Sequence, residues 1–207
     1  MEPVQWVDLL VSLTLLISSI ALYRQYMQRR SLVDLYFSIS ALILLIAYFV
    51  HLLNLQPKNF FMNWGKLISI TFYISGLLVL IRESKPLFAR FPLYLTSLPF
   101  LSFLFFPLII DSIVIKDLVN GIYQGGALIV TILVFTVNKA GESGRRYYIS
   151  GLALVSLAFI LFWFVFNREM TESIWISEIL FSVGILLVLY RFIQSNNNDN
   201  EISGTVN

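Results

Sequence analysis

The chain has 207 residues, 58% of them hydrophobic and 13% charged, with a formal net charge of +2, a single histidine and no cysteine. A soluble domain carries about 25% charged residues, so too few polar side chains are present to cover a water-soluble core of this size. Without cysteine there is no disulfide and no thiolate metal site. With one histidine there is no bis-histidine haem and no Cys/His nucleophile pair, so no metal and no cofactor is expected.

Seven apolar stretches succeed one another at residues 4–23, 32–55, 64–81, 92–110, 118–137, 147–166 and 174–193. Each is about 18–24 residues long, enough at ~1.5 Å per residue to cross a hydrocarbon core of ~30 Å. Hydrocarbon offers backbone N–H and C=O groups no partners, so these stretches predict helices. The expected fold is all-α: a polytopic membrane domain over 1–193 with seven transmembrane helices, followed by a disordered polar tail over 194–207.

Basic residues orient the helices. Arg24, Arg29 and Arg30 follow the first stretch, Arg82, Lys85 and Arg90 the third, Lys139, Arg145 and Arg146 the fifth, and Arg191 ends the seventh; Lys58, Lys66, Lys116 and Arg168 fall on the other side. The positive-inside rule then puts the N-terminus outside and the C-terminus in the cytoplasm, in a membrane of the bacterial inner type. Trp6, Trp64, Trp163 and Trp175 cluster at the external ends, as interfacial anchors do. Glu2, not a basic residue, precedes the first stretch, so it is expected to stay as a helix and not be cleaved.

Along the chain the stretches differ. Gly76–Arg82 and Gly184–Arg191 close the third and seventh with similar Leu-rich runs, which suggests a parallel repeat of three helices on either side of a linking fourth. That fourth stretch carries Pro92, Pro99 and Pro107 and no ionisable group, so it should kink and serve as packing. The fifth has Gly121 and Gly125 at the spacing that lets a neighbouring helix approach closely.

Polar residues inside the stretches are the functional signal. Asp8, Lys66, Gln124 and Glu178 lie 13–16 residues before the basic residue that closes their helices, hence at one depth, ~20–24 Å from the inner face. His51, Asn54 and Asn120 form a rim above them. Buried charges are costly in hydrocarbon and usually face the bundle interior or one another. Asp8 and Glu178 are expected to bracket Lys66 in an outward-facing crevice that binds a small polar ligand or a partner helix. Three plainer readings compete: Lys66 reaching the headgroups, Asp8 and Glu178 in the wet interface, and an ion pair that only sets helix register. His51 reads more readily as an inter-helix hydrogen-bonding residue than as a ligand.

No phosphate loop, GxSxG or HExxH occurs, so an enzyme is the least favoured class. A retinal Schiff base would need a lysine in the middle of the last helix, and 179–190 has none. The favoured expectation is a non-catalytic, receptor-like or accessory membrane subunit. The alternative is a facilitator or channel for a small polar solute or ion, disfavoured because the repeat helices lack paired kinks and the inner half holds only serines and Tyr73. Expected partners are membrane lipids, a membrane protein or a second copy of this chain, and a small polar ligand. Nucleic acid is not expected at this net charge.

Overall fold

A computed structural model describes residues 3–55, 58–84, 89–105, 113–138, 145–166 and 174–204. Among these, all regular structure is helical: α1 (Pro3–Arg29), α2 (Leu32–Leu52), α3 (Lys58–Ser84), a 3-10 helix (Leu93–Leu101) running into the single turn α4 (Ser102–Phe105), α5 (Ile113–Asn138), α6 (Arg145–Ile160), a π-helical turn (Leu161–Phe166) and α7 (Ile174–Gly204). Four of these helices are long and apolar enough to cross a membrane, over Trp6–Arg29, Leu32–Leu52, Phe60–Glu83 and Trp175–Gln194. The other three expected spans coincide with shorter apolar helices, Leu93–Leu104, Leu118–Val134 and Ile149–Trp163.

The fourth expected span departs furthest from a membrane helix. Pro99 lies inside the nine-residue 3-10 segment, where the ring removes one backbone donor and the tighter winding tolerates its loss. At ~2 Å per residue that segment covers ~18 Å. Pro107 and the rest of 106–110 lie outside the described residues. At the other end of the chain, α7 continues to Gly204, past Gln194, where the sequence reading begins its polar tail.

Contacts divide the chain into two compact units, Met1–Asn138 and Lys139–Asn207. In the first, α2 packs on both α1 and α3, and α3 also receives α5 and the 3-10 helix. The division falls after α5.

The first unit is built inside out. On α1, Trp6, Leu10, Leu13, Ile17, Ile20 and Met27 are exposed, while Asp8, Ser12, Ser18, Ser19 and Gln25 are buried beside Val11, Leu15 and Leu22. In water a helix buries its apolar stripe. Here the polar groups are withdrawn between helices and the apolar side chains are turned outward, the arrangement hydrocarbon requires.

Reciprocal serine bonds hold these helices together. Ser19 Oγ donates to the Ser38 carbonyl at 3.3 Å and Ser38 Oγ to the Ser19 carbonyl at 3.0 Å, joining α1 to α2. Ser40 Oγ and Ser69 Oγ donate to each other's carbonyls at 2.8 and 2.9 Å, joining α2 to α3. Such bonds between membrane helices contribute about 0.6 kcal/mol on average. Small residues let the backbones come this close: a Cβ on Gly65 would lie 2.5 Å from Ala47 Cβ, and one on Gly76 would meet the Phe37 ring. Phe37 in turn stacks on Tyr73 at 5.1 Å, and Phe72 meets Phe100 edge-on at 4.9 Å, which seats the 3-10 helix.

In the second unit, α6 packs on α7 with the backbones in contact at Gly151 and Gly184. A Cβ on Gly184 would approach the Gly151 carbonyl to 2.8 Å, and one on Gly151 would approach the Gly184 carbonyl to 2.9 Å. Gly126 on α5 is exposed, and a Cβ there would meet nothing within 4 Å. Gly184→Val should therefore lower the melting temperature of the purified protein, because the obstructing atom is backbone. Gly126→Ala should leave it unchanged or raise it, by up to about 1 kcal/mol of helix propensity; equal effects of the two substitutions would contradict the packing described.

Candidate functional site

Asp8 lies near the start of the buried face of α1, beside Val7, and His51 in the last turn of α2. The antiparallel α1–α2 pair, fixed by Ser19 and Ser38 near its middle, brings the two to one level. His51 Nδ1 lies 2.9 Å from Asp8 Oδ2, with the side chains 31% and 6% exposed. A carboxylate this deeply buried is stabilised by a charge-assisted hydrogen bond, and the half-open imidazole connects it to the surroundings. The sequence reading placed Asp8 against Lys66. The structure gives it His51 as a hydrogen-bonded partner, which agrees with the expectation that His51 bonds between helices.

Asn54 sits just past α2, exposed and in the left-handed region at φ 53°, with its N–H donating to the His51 carbonyl at 3.0 Å. Asn tolerates that conformation better than other side chains. The turn thereby closes α2 directly after the histidine.

Lys66 and Gln124 are half-buried on α3 and α5. These two helices are joined by a bond between Tyr73 Oη and Thr131 Oγ1 at 2.9 Å, while Thr131 Oγ1 also donates to the Ala127 carbonyl at 2.6 Å, leaving the tyrosine hydroxyl as donor to it. Tyr73 follows Lys66 by seven residues and Thr131 follows Gln124 by seven, two helical turns in each case, so each pair shares a helix face. Asn120, one turn before Gln124, is 3% exposed, and its Oδ1 has no hydrogen-bond partner among the described residues. Glu178 is half-buried on α7, in the second unit.

Three features escaped the sequence reading. The serine pairs look like ordinary membrane-helix serines, and nothing local marks which will meet. Tyr73 was noticed as a polar residue, but its partner Thr131 was not. Asp34 follows Arg29 and Arg30 closely, a flank that suggests an interfacial side chain, yet it is 1% exposed; the sequence signal for burial is its position in the second stretch, two residues past the start of the apolar run.

Among the described residues no three of His, Cys, Asp and Glu converge as metal ligands. No protein family, curated protein or solved structure matches the chain.

Removing either partner of the Asp8–His51 pair should destabilise the protein. His51→Ala should cost about 1–3 kcal/mol, because the buried carboxylate loses its bond. A double-mutant cycle with Asp8→Asn, followed by thermal or steric-trap unfolding, should give a coupling energy of about 0.5–3 kcal/mol. Leu53→Ala, at an exposed neighbour, should be close to neutral. Additive effects of the two substitutions would show that the pair contributes nothing as a unit.

Proposed function

We propose that the protein is a non-catalytic, receptor-like or accessory membrane subunit whose polar end, containing Asp8, His51, Lys66, Asn120 and Gln124, binds a small polar ligand or a partner helix from the outer face. The single observation that carries this reading is the Asp8–His51 pair. It is a carboxylate–imidazole contact at one end of a helix pair, part-buried and reachable through His51.

The remaining groups fit around it. In the seven-span topology, with the N-terminus outside, α3 and α5 run parallel, and the Tyr73–Thr131 bond two turns further along then sets Lys66 and Gln124 level with each other. Asn120 lies one turn nearer the Asp8 end, and its Oδ1 is an unused acceptor. Together the side chains offer a cation, two amides and an imidazole–carboxylate pair. That set suits a ligand with both an anionic or carbonyl oxygen and hydrogen-bond donors.

A binding role is preferred to a conducting one because the serine pairs tie α1 to α2 near the middle of the pair and α2 to α3 one turn past Lys66. Reciprocal side-chain to carbonyl bonds close the seams that a solute would have to pass between these helices. The basic residues at the opposite end of α1 and α3 supply the topology and a surface for anionic lipid headgroups.

The reading is tested with protein extracted into lipid nanodiscs without detergent and examined by native mass spectrometry. A bound small molecule or subunit in near one-to-one ratio should be retained by the wild type and lost on Asp8→Asn or Lys66→Met. In parallel, proteoliposomes should show no flux of protons, Na⁺ or K⁺ above empty vesicles. Flux that depends on Asp8 or Lys66 would overturn the reading in favour of a facilitator.

A further inference from the structure

A second polar centre lies at the other end of the α1–α2 pair, and we propose that it binds a monovalent alkali cation through Asp34 and Gln25. Asp34, in the first turn of α2, is 1% exposed, and neither Oδ1 nor Oδ2 has a hydrogen-bond partner among the described residues. Gln25, on α1, is 4% exposed, and neither its Oε1 nor its Nε2 has one. Buried polar side chains are rarely left this way, and two with every polar atom unbonded mark a place built for something other than the protein's own groups.

The helix register brings them to one level. The reciprocal Ser19–Ser38 bonds set residue 34 of α2 opposite residue 23 of α1, so Gln25 is offset along the axis by only ~3 Å. Arg29 follows Gln25 by one turn on the same face of α1. Its field reaches Asp34, as does that of Glu83 from α3. Both charged groups therefore lie near the carboxyl.

An acid in the first turn of α2 also suits the helix dipole. That accounts for a carboxylate at this position, but it leaves Gln25 unexplained and gives the Asp34 oxygens no bond. Arg29 supplies charge and no hydrogen bond to the carboxylate.

What this end offers is hard oxygen: two carboxylate oxygens, an amide oxygen, and the backbone carbonyls of the last turn of α1 that have no partner within the helix, Tyr26 excepted, whose carbonyl accepts from the Arg30 N–H. Asp34 and Glu83 against Arg29 leave one net negative charge, which matches a single positive charge. Ca²⁺ is usually held by several carboxylates, and no three acidic or histidine side chains converge among the described residues.

The proposal does not depend on the reading of the Asp8 end. It is tested on the purified full chain in detergent micelles, with melting temperatures measured at fixed pH and ionic strength in NaCl, KCl and choline chloride. A saturable rise in Na⁺ or K⁺ over choline is expected. Asp34→Asn should abolish the difference, and Gln25→Leu should raise the half-saturating cation concentration about tenfold, a loss of one good ligand contact. Identical melting of the wild type in all three salts would overturn the proposal. So would a cation response retained in Asp34→Asn, or a stabilisation that follows acidification and ignores the cation. Should Asp34→Asn fail to fold, the wild-type salt comparison and Gln25→Leu still decide the question.

Discussion

A polar side chain on a helix in hydrocarbon has no water to turn to, and this constraint shapes the whole first unit. Asp8, Ser19, Ser38, Ser40 and Ser69 are satisfied only by groups on the next helix. The apolar residues need no such partner, and Trp6, Leu10, Leu13 and Ile17 lie on the outside. Hydrophobic burial, which sorts residues in a water-soluble fold, here distinguishes little between lipid and protein. Helix order is set instead by close packing at Gly65 and Gly76 and by a few directional bonds.

The same constraint gives the two ends of the α1–α2 pair different characters. Near the N-terminus of α1 the carboxylate has found an imidazole, and the pair is half-open. At the opposite end Asp34 and Gln25 are enclosed yet unbonded. Between them the Ser19–Ser38 contact fixes the register that defines both. A single helix pair thus carries a satisfied polar contact and an unsatisfied one, separated by seventeen residues of α2, ~25 Å along its axis.

Four of the seven spans could be read from the sequence because spanning length is a property of single segments. The stretches at 32–55 and 174–193 coincide closely with helices of spanning length, and those at 4–23 and 64–81 extend by several residues at their ends. The proline-rich stretch at 92–110 read as kinked, and Pro99 does lie in a departure from α-geometry, although the 3-10 winding of the whole segment was not foreseeable from proline positions alone. Which polar residues meet was less legible. Counting depth grouped Asp8 with Lys66 and put His51 in a rim above them, whereas the α1–α2 register pairs Asp8 with His51. Depth is one coordinate, and partner choice also depends on helix rotation, which a one-dimensional count does not contain. Asp34 is hard to read for a related reason: a basic flank signals an interface, but the rotation of α2 carries this side chain inward.

The absence of cysteine allows the central claim, that polar faces meet between helices while apolar faces meet lipid, to be tested directly by paired cysteine substitution in native membranes. Ser19→Cys with Ser38→Cys should form a disulfide rapidly under mild oxidation, since mutual side-chain to carbonyl bonds place the two backbones within reach of one. Ile20→Cys with Leu42→Cys, both on exposed faces, should not. Cross-linking of the second pair in preference to the first would show that α1 and α2 present the opposite faces to each other, and the account would fail.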